Sequence, residues 1–473
     1  MNENKSALVE RIIKDLNNVL MRPGLTDFDI VPVESNKNKS PVLYEDTSVG
    51  LESWCVKMVY MHCYNELMEN YLSHPKRRLS KPSNVNQKRL SDLLNTTLLL
   101  NPDITTLWNK RREMMEKNFL EWVSELQFAR LVISRKPKCN EAFMYRRWIL
   151  EDVLREEVMH PYQFIDALVE EEISICTMAA DKCPNNYHCW DHRRWLLVLL
   201  WSIRFDFDST LLFYNEYKFI KDWTANHVSD HSCYHYRQFV LKKLYHFDER
   251  WNEFEQLMNV DLRKNLANFI NAHVESDPSA KLCKIIKHCL EDYEIVVALL
   301  GHCPGNCKCY SPYSVTYKKL ELLLYELVQS DDLLKYYKYH ETLWYHRRFI
   351  VSELLLTIYN HLHIERNNGK LERVRGPTKV GECHGRCRKC HDEDLREHLG
   401  KTEKYGVEWI YHSPLNKIFV KHEKEFIKDR RKDSDKYADR HDSYMKAKAT
   451  FRTKRERAII TTLAECGLQI NEY

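Results

Sequence analysis

The chain has 473 residues, 44% of them hydrophobic and 12% aromatic, enough for one large domain or two to three ordinary ones and too rich in core-forming side chains for a disordered polymer. Its 72 basic and 68 acidic residues leave a net charge of +4, which excludes a global electrostatic attraction to nucleic acid or an anionic membrane. Only 11 glycines occur, none between Gly50 and Gly301, and since doubly wound α/β folds and β-sandwiches need glycine for tight turns, the composition predicts helices joined by short, proline-punctuated turns.

The opening MNENKSALVERIIKDL has no secretory apolar stretch. It reads as an amphipathic helix with Leu8, Ile12, Ile13 and Leu16 inward, the start of a helix-and-loop segment over residues 1–45. Over residues 46–363 one pattern returns: an aromatic, two intervening residues and an arginine, at a helix start. The copies are Trp108–Arg111, Phe143–Arg146, Trp190–Arg193, Tyr234–Arg237 and Trp344–Arg347, spaced 35, 47, 44 and 110 residues apart. Pro102, Pro137 and Pro184 precede the first three, and an apolar stretch such as WLLVLL follows each copy. A first helix lies upstream, for instance VEEEISICTMAADKC, with Ile173, Cys176 and Ala180 on one face. A period near 35 with this texture predicts stacked helical hairpins. The aromatic then fills the groove between neighbours, and the arginine reaches a carboxylate or helix C-terminus of the next repeat. All ten motif residues are expected to be structural.

Residues 246–335 exceed what one hairpin needs and read as an insertion, with LCKIIKHCLEDYEIVVALL followed by Cys303, Cys307 and Cys309. Residues 364–405 form a polar linker containing Cys383, Cys387, Cys390 and His391. These four have ligands enough for tetrahedral zinc, but the spacing is looser than paired Cys-x2-Cys, and the charged, turn-rich surroundings favour a disordered linker over a metal site. Residues 406–473 are expected to be basic helices. Between 415 and 460 they carry 15 Lys or Arg against 8 Asp or Glu, with Phe419, Phe426, Tyr437 and Tyr444 at loose helical spacing. Such a stretch can touch nucleic acid or an anionic membrane, but solvated helices capping the stack are the expected reading, with no nucleic-acid partner. The longest apolar run, Trp195 to Ile203, is half a membrane span, so no transmembrane segment is expected. Sixteen mostly isolated cysteines suit a reducing, cytoplasmic setting, and the ending QINEY offers no prenylation cysteine.

Tetratricopeptide repeats have a similar period but require Trp-x-x-Leu-Gly, and HEAT repeats lack the Trp-x-x-Arg of the second helix. The stretches LLLNPDITTLWNKRREMM, KPKCNEAFMYRRWIL, CPNNYHCWDHRRWLL, HVSDHSCYHYRQFVLKKL and HETLWYHRRFI resemble the repeat of the protein prenyltransferase α-subunit family, over roughly residues 5–245 and 336–360. The resemblance implies an all-α fold, a right-handed α–α superhelix of stacked hairpins wrapped around a Rab geranylgeranyltransferase-type β subunit. It implies that zinc and the isoprenoid pocket belong to that partner, that this chain holds no cofactor of its own, and that it is inactive alone. The heterodimer would transfer the geranylgeranyl group of geranylgeranyl diphosphate to a cysteine of an acceptor protein of SNARE type. By the same resemblance Lys138, five residues before Phe143, is the family's diphosphate-binding lysine, while Cys139, Asn140 and Phe143 depart from the family pattern. In the next repeat Asn186, Tyr187, His188 and Trp190 match it, which implies catalytic roles for Lys138, Tyr187 and His188, with Lys138 and Tyr187 binding the substrate. The chemistry is sensible: donors and a positive helix end aimed at a leaving diphosphate stabilise its developing charge. The departures at Cys139 and Asn140 keep open the alternative of a non-catalytic helical-repeat scaffold in membrane traffic.

Overall fold

The computed structural model describes residues 3–33, 40–72, 84–156, 162–203, 209–244, 251–275, 315–361, 364–367, 370–373 and 414–446, which are helical apart from a small sheet and one short ribbon. They fall into two compact units, Met1–Phe207 and Asp208–Tyr473.

Unit 1 opens with α1 (Glu3–Leu20), which buries Val9, Ile12, Ile13 and Leu16 and leaves Leu8 half-buried. The segment expected as a loop contributes two strands, β1 (Asp27–Val31) and β2 (Val42–Glu45), to a small sheet completed by β3 (Ser48–Glu52), in the order β1–β3–β2. β1 runs parallel to β3 and β2 antiparallel to it. The β2–β3 turn places Asp46 at φ 49°, and a side chain at Gly50 would meet Val31 at 2.9 Å. Strands this short give too little alternation to stand out in a sequence. The sheet packs on the helix Trp122–Arg135, where the Phe28 N–H donates to Ser134 Oγ at 2.9 Å.

Helices follow in antiparallel pairs: α2 (Ser53–Leu67), α3 (Asn84–Leu100), α4 (Thr105–Glu116), α5 (Trp122–Arg135), α6 (Asn140–Glu156), α7 (Tyr162–Lys182) and α8 (Tyr187–Ile203). Within unit 1, α3 packs on α5 and α5 on α7, while α4 packs on α6 and α6 on α8, so first helices stack on first helices and second on second.

Unit 2 contains α9 (Ser209–Asn226), α10 (His231–Leu244), α11 (Trp251–Met258), α12 (Leu262–Glu275), α13 (Val315–Tyr336) and α14 (Glu341–His361). A two-stranded ribbon, β4 (Ile364–Asn367) and β5 (Lys370–Arg373), precedes α15 (Pro414–Lys432) and a last helix, α16, over residues 436–446. The α13 helix pairs with α14, so residues 315–335 of the expected insertion belong to the first helix of the fifth hairpin. Cys303, Cys307, Cys309, Cys383, Cys387, Cys390 and His391 lie outside the described residues. Among the described residues, no helix is long and apolar enough to cross a membrane.

One bonded device links the hairpins. All five motif arginines are buried, and four of them grip a glutamate on the first helix of the following hairpin, while Arg193 donates to Thr177 Oγ1 at 2.9 Å on α7. Arg111 holds Glu125 (Nε–Oε2 2.7 Å, Nη2–Oε1 2.5 Å), Arg146 holds Glu172, Arg237 holds Glu326 (2.7 Å) and Arg347 holds Glu423 (3.0 and 2.6 Å). The same glutamate also bonds the ring residue just before the next arginine. Tyr145 donates to Glu125 at 2.6 Å, and His192, His346 and His441 meet Glu172, Glu326 and Glu423 at 2.8–2.9 Å. Burial pushes the glutamate carboxyls at 172, 326 and 423 up, but the adjacent arginine charge and the ring hydrogen bond outweigh it and hold each at about 2. The motif aromatics stack on the same rings: Phe143 on His192 at 5.3 Å, Tyr234 on His346 at 5.1 Å and Trp344 on His441 at 5.3 Å. Helices α15 and α16 form a sixth hairpin by this criterion. It keeps the glutamate and the ring, but the position after the ring is Asp442, so no arginine reaches onward.

Candidate functional site

The site implied by the sequence lies at the turns of unit 1 that carry Pro102, Pro137 and Pro184. The residue four before the motif aromatic can cap the second helix of a hairpin. Asn186 does so for α8: its Oδ1 accepts the Cys189 N–H at 3.4 Å, and its Nδ2 donates to Ala179 O at 3.2 Å and to Pro137 O at 2.6 Å. The last of these bonds ties the start of α8 to the turn before α6. Lys138 follows Pro137 and Tyr187 follows Asn186, so the two come to one edge of the unit.

Lys138 is exposed and has no hydrogen bond or ion pair among the described residues. Tyr187 is exposed as well, its hydroxyl 3.4 Å from Asp191 Oδ1 and its ring edge-on to His188 at 6.1 Å. His188 is half-buried. Asp191 is bracketed by Arg147 (2.7 Å) and Arg194 (2.6 Å); partial burial raises its carboxyl, but the two guanidiniums prevail and hold it below the ordinary range. The sequence reading did not single out Arg147, Asp191 and Arg194. A signal existed in the repeated Arg-Arg doublets at 111–112, 146–147, 193–194 and 347–348, whose second members remain outside the hairpin core.

Cys139 occupies in α6 the capping position that Asn186 occupies in α8. Its Sγ faces Pro102 O at 3.9 Å, it is fully buried, and burial pushes its thiol up to about 12. A thiol so held is neither nucleophile nor ready metal ligand at neutral pH. Its sulfur and the carboxylates of Asp103 and Glu141 lie within 4.8 Å of one another, but Asp103 is ion-paired to Lys136 and the thiol is protonated. A second group, Glu10, His62 and Glu66, is filled by Arg89, whose guanidinium meets both carboxylates at 2.6–2.9 Å. Neither donor set suits a dication. What the turns offer is a lysine with no ion pair among the described residues, an exposed phenol that leans on Asp191, and the positive starts of α6 and α8, a set that can bind an oxyanion and by itself breaks no bond.

The motif aromatics Trp108, Phe143, Trp190, Tyr234 and Trp344 are all buried, as are Arg111, Arg146, Arg193, Arg237 and Arg347.

Four stretches of the chain match the protein prenyltransferase alpha subunit repeat: residues 122–153, 169–200, 213–244 and 323–354. Each contains one of the last four motif copies, while Trp108–Arg111 precedes the first match although Arg111 uses the same bond. Over 371 residues the chain is 32% identical to protein prenyltransferase alpha subunit repeat-containing protein 1-A of Xenopus laevis, covering 75% of each. It is 30% identical to the Homo sapiens protein prenyltransferase alpha subunit repeat-containing protein 1, over 74% of this chain and 78% of that one. Geranylgeranyl transferase type-2 subunit alpha of Saccharomyces cerevisiae is more distant, 23% identical over 44% of this chain and 58% of its own length.

Proposed function

Since the chain belongs to the protein prenyltransferase α-subunit repeat family, we propose that it is the α subunit of a heterodimeric protein geranylgeranyltransferase working in the cytoplasm. On this reading a β subunit of the Rab geranylgeranyltransferase type supplies zinc and the isoprenoid pocket. Lys138 and Tyr187 reach from this chain toward the diphosphate of geranylgeranyl diphosphate, with His188 beside them, and the acceptor is a SNARE-type protein. One observation supports the reading: Asn186 ties the start of α8 to Pro137 O at 2.6 Å, and the next residues in sequence, Tyr187 and Lys138, are both exposed beside helix starts. Negative charge grows on the diphosphate as the allylic C–O bond breaks, and fixed donors there stabilise the transition state more than the ground state.

Co-expression with such a β subunit tests this directly. A complex that transfers geranylgeranyl to a SNARE-type acceptor is expected, and Lys138→Ala should slow transfer by roughly 10²-fold while leaving the complex intact. Failure to form a complex would sink the reading. The second reading, a helical scaffold without transfer, is favoured by the buried thiol of Cys139 and by Asn140 at the site's first position; a stable complex with no transfer to any acceptor is its signature.

A further inference from the structure

The second arginine of each Arg-Arg doublet sets up a comparison between the two units. In unit 1, Arg147 on α6 donates to Asp191 Oδ2 at 2.7 Å and lies 5.5 Å from the ring centroid of Trp195, both on α8. The ring-to-glutamate bond fixes which residues of α16 correspond to those of α8, because His441 holds Glu423 as His192 holds Glu172. The residue before that ring is Asp191 in α8 and Arg440 in α16; four positions further on stand Trp195 and Tyr444. Arg348 on α14 corresponds to Arg147, following Arg347 as Arg147 follows Arg146.

Arg348 keeps the aromatic half of the arrangement, with its guanidinium carbon 5.0 Å from the Tyr345 ring and 5.7 Å from the Tyr444 ring. The carboxylate half is gone. Arg440 stands where Asp191 would be, and its own guanidinium turns to Glu341 at 3.1 Å. Arg348 makes no ion pair among the described residues, and its Nε and Nη2 are buried without a hydrogen-bond partner. Arg112, a third residue of this kind, stacks on Tyr145 and Trp148 but donates to Asn109 at 2.7 Å. A buried donor left without an acceptor is destabilising, the more so when the group is charged.

We propose that Arg348, held between Tyr345 and Tyr444, is a docking point for an aspartate or glutamate side chain of a partner protein, which reaches Nη1, the guanidinium nitrogen that is not among the enclosed ones, and supplies the charge that Asp191 gives Arg147. The planar fork of a guanidinium matches a carboxylate, and the chain's own solution at the equivalent position is an aspartate. The rim is accessible, with Tyr345 half-exposed and the Arg440 side chain 59% exposed. Arginine flanked by tyrosines is also the composition of energetic centres in protein interfaces. The identity of the partner, a β subunit, rests on the heterodimer reading above; the docking point does not.

The test titrates the full chain with a type-2 geranylgeranyltransferase β subunit at low salt, comparing wild type, Arg348→Ala and Arg440→Asp. Both variants should bind at least tenfold more weakly, Arg440→Asp because it supplies the missing carboxylate within the chain. Arg440→Asp should also melt no earlier than wild type, which separates an occupied docking point from a damaged fold. Equal affinities for all three proteins overturn the proposal and leave the heterodimer reading standing. If the wild-type chain forms no complex, the heterodimer reading fails, and the docking point is assayed with fluorescein-labelled hexaglutamate instead. Binding that Arg440→Asp weakens tenfold supports it; unchanged or absent binding overturns it.

Discussion

Arg146 shows what a single residue does in this protein. Its guanidinium is wholly buried, bonded at two nitrogens to Glu172 and at the third to the Leu126 carbonyl on α5, the first helix of its own hairpin. Replacing only the arginine strands a buried carboxylate, so Arg146→Leu should cost about 3–5 kcal/mol in urea unfolding. The double change Arg146→Leu with Glu172→Leu should recover most of that loss, because two apolar side chains need no partner. A double variant as unstable as the single one would show that packing, and not the stranded charge, sets the cost. The arginines and aromatics were legible in the sequence because they recur beside one another. Their glutamates were not: Glu125, Glu172 and Glu326 sit on other helices, 20 residues before the ring they bond, and a lone acid in a charged helix has nothing to mark it. At the candidate site the sequence pointed to Lys138, Tyr187 and His188, but only the fold shows that Asn186 is the tie that brings the first two to one edge.

Among the elements, the sixth hairpin stands out. Its first helix buries Leu415, Phe419, Phe426 and Ile427, and Glu423 completes the coordination of Arg347. A basic composition had suggested a solvated cap, and its outer surface is basic, but the inner face belongs to the repeat stack. Ending the chain before residue 414 should therefore leave Arg347 with Asp331 as its one remaining carboxylate among the described residues, uncover the apolar face of α14, and lower the stability of unit 2 by several kcal/mol, on the order of 3–5. Guanidinium unfolding of the shortened chain reads this out, and an unchanged midpoint would mean the hairpin is ornamental. The hairpin went unread because Asp439 and Asp442 replace the aromatic and the arginine by which the other copies announce themselves. The small sheet was missed for the opposite reason, being too short to carry any period at all.

Across the whole molecule the ring–glutamate bond recurs in both units, which gives the protein a shared response to acid. Burial holds His192, His346 and His441 below their ordinary 6.5, despite the glutamate beside each. In the unfolded chain these rings protonate near 6.5, so unfolding takes up protons and stability falls as pH drops through that value. The glutamates, held at about 2 when folded, add a second loss as pH falls below about 4.5 toward 2. Melting temperature should thus be flat above about pH 7.5, decline through pH 6 and collapse below about pH 4.5. A profile level down to about pH 5 would contradict the neutral, buried state of these histidines.

The arginine-to-glutamate bond also sets a timetable for the ribosome. Arg111 meets Glu125 after 14 further residues and Arg146 meets Glu172 after 26, but Arg347 waits for 76 and Arg237 for 89. At bacterial-to-eukaryotic elongation rates of about 5–20 residues per second, Arg237 stands unneutralised for roughly 4–18 s of translation. Closing the longer loop costs about 1.6 kcal/mol more in chain entropy than closing the first. The emerging chain can lock its first hairpins almost as they leave the exit tunnel, while Arg237 must wait for Glu326 and Arg347, which has Asp331 upstream, waits for its second acid. That interval is when a nascent-chain chaperone, or a premature stop, has the most influence on whether the protein is made.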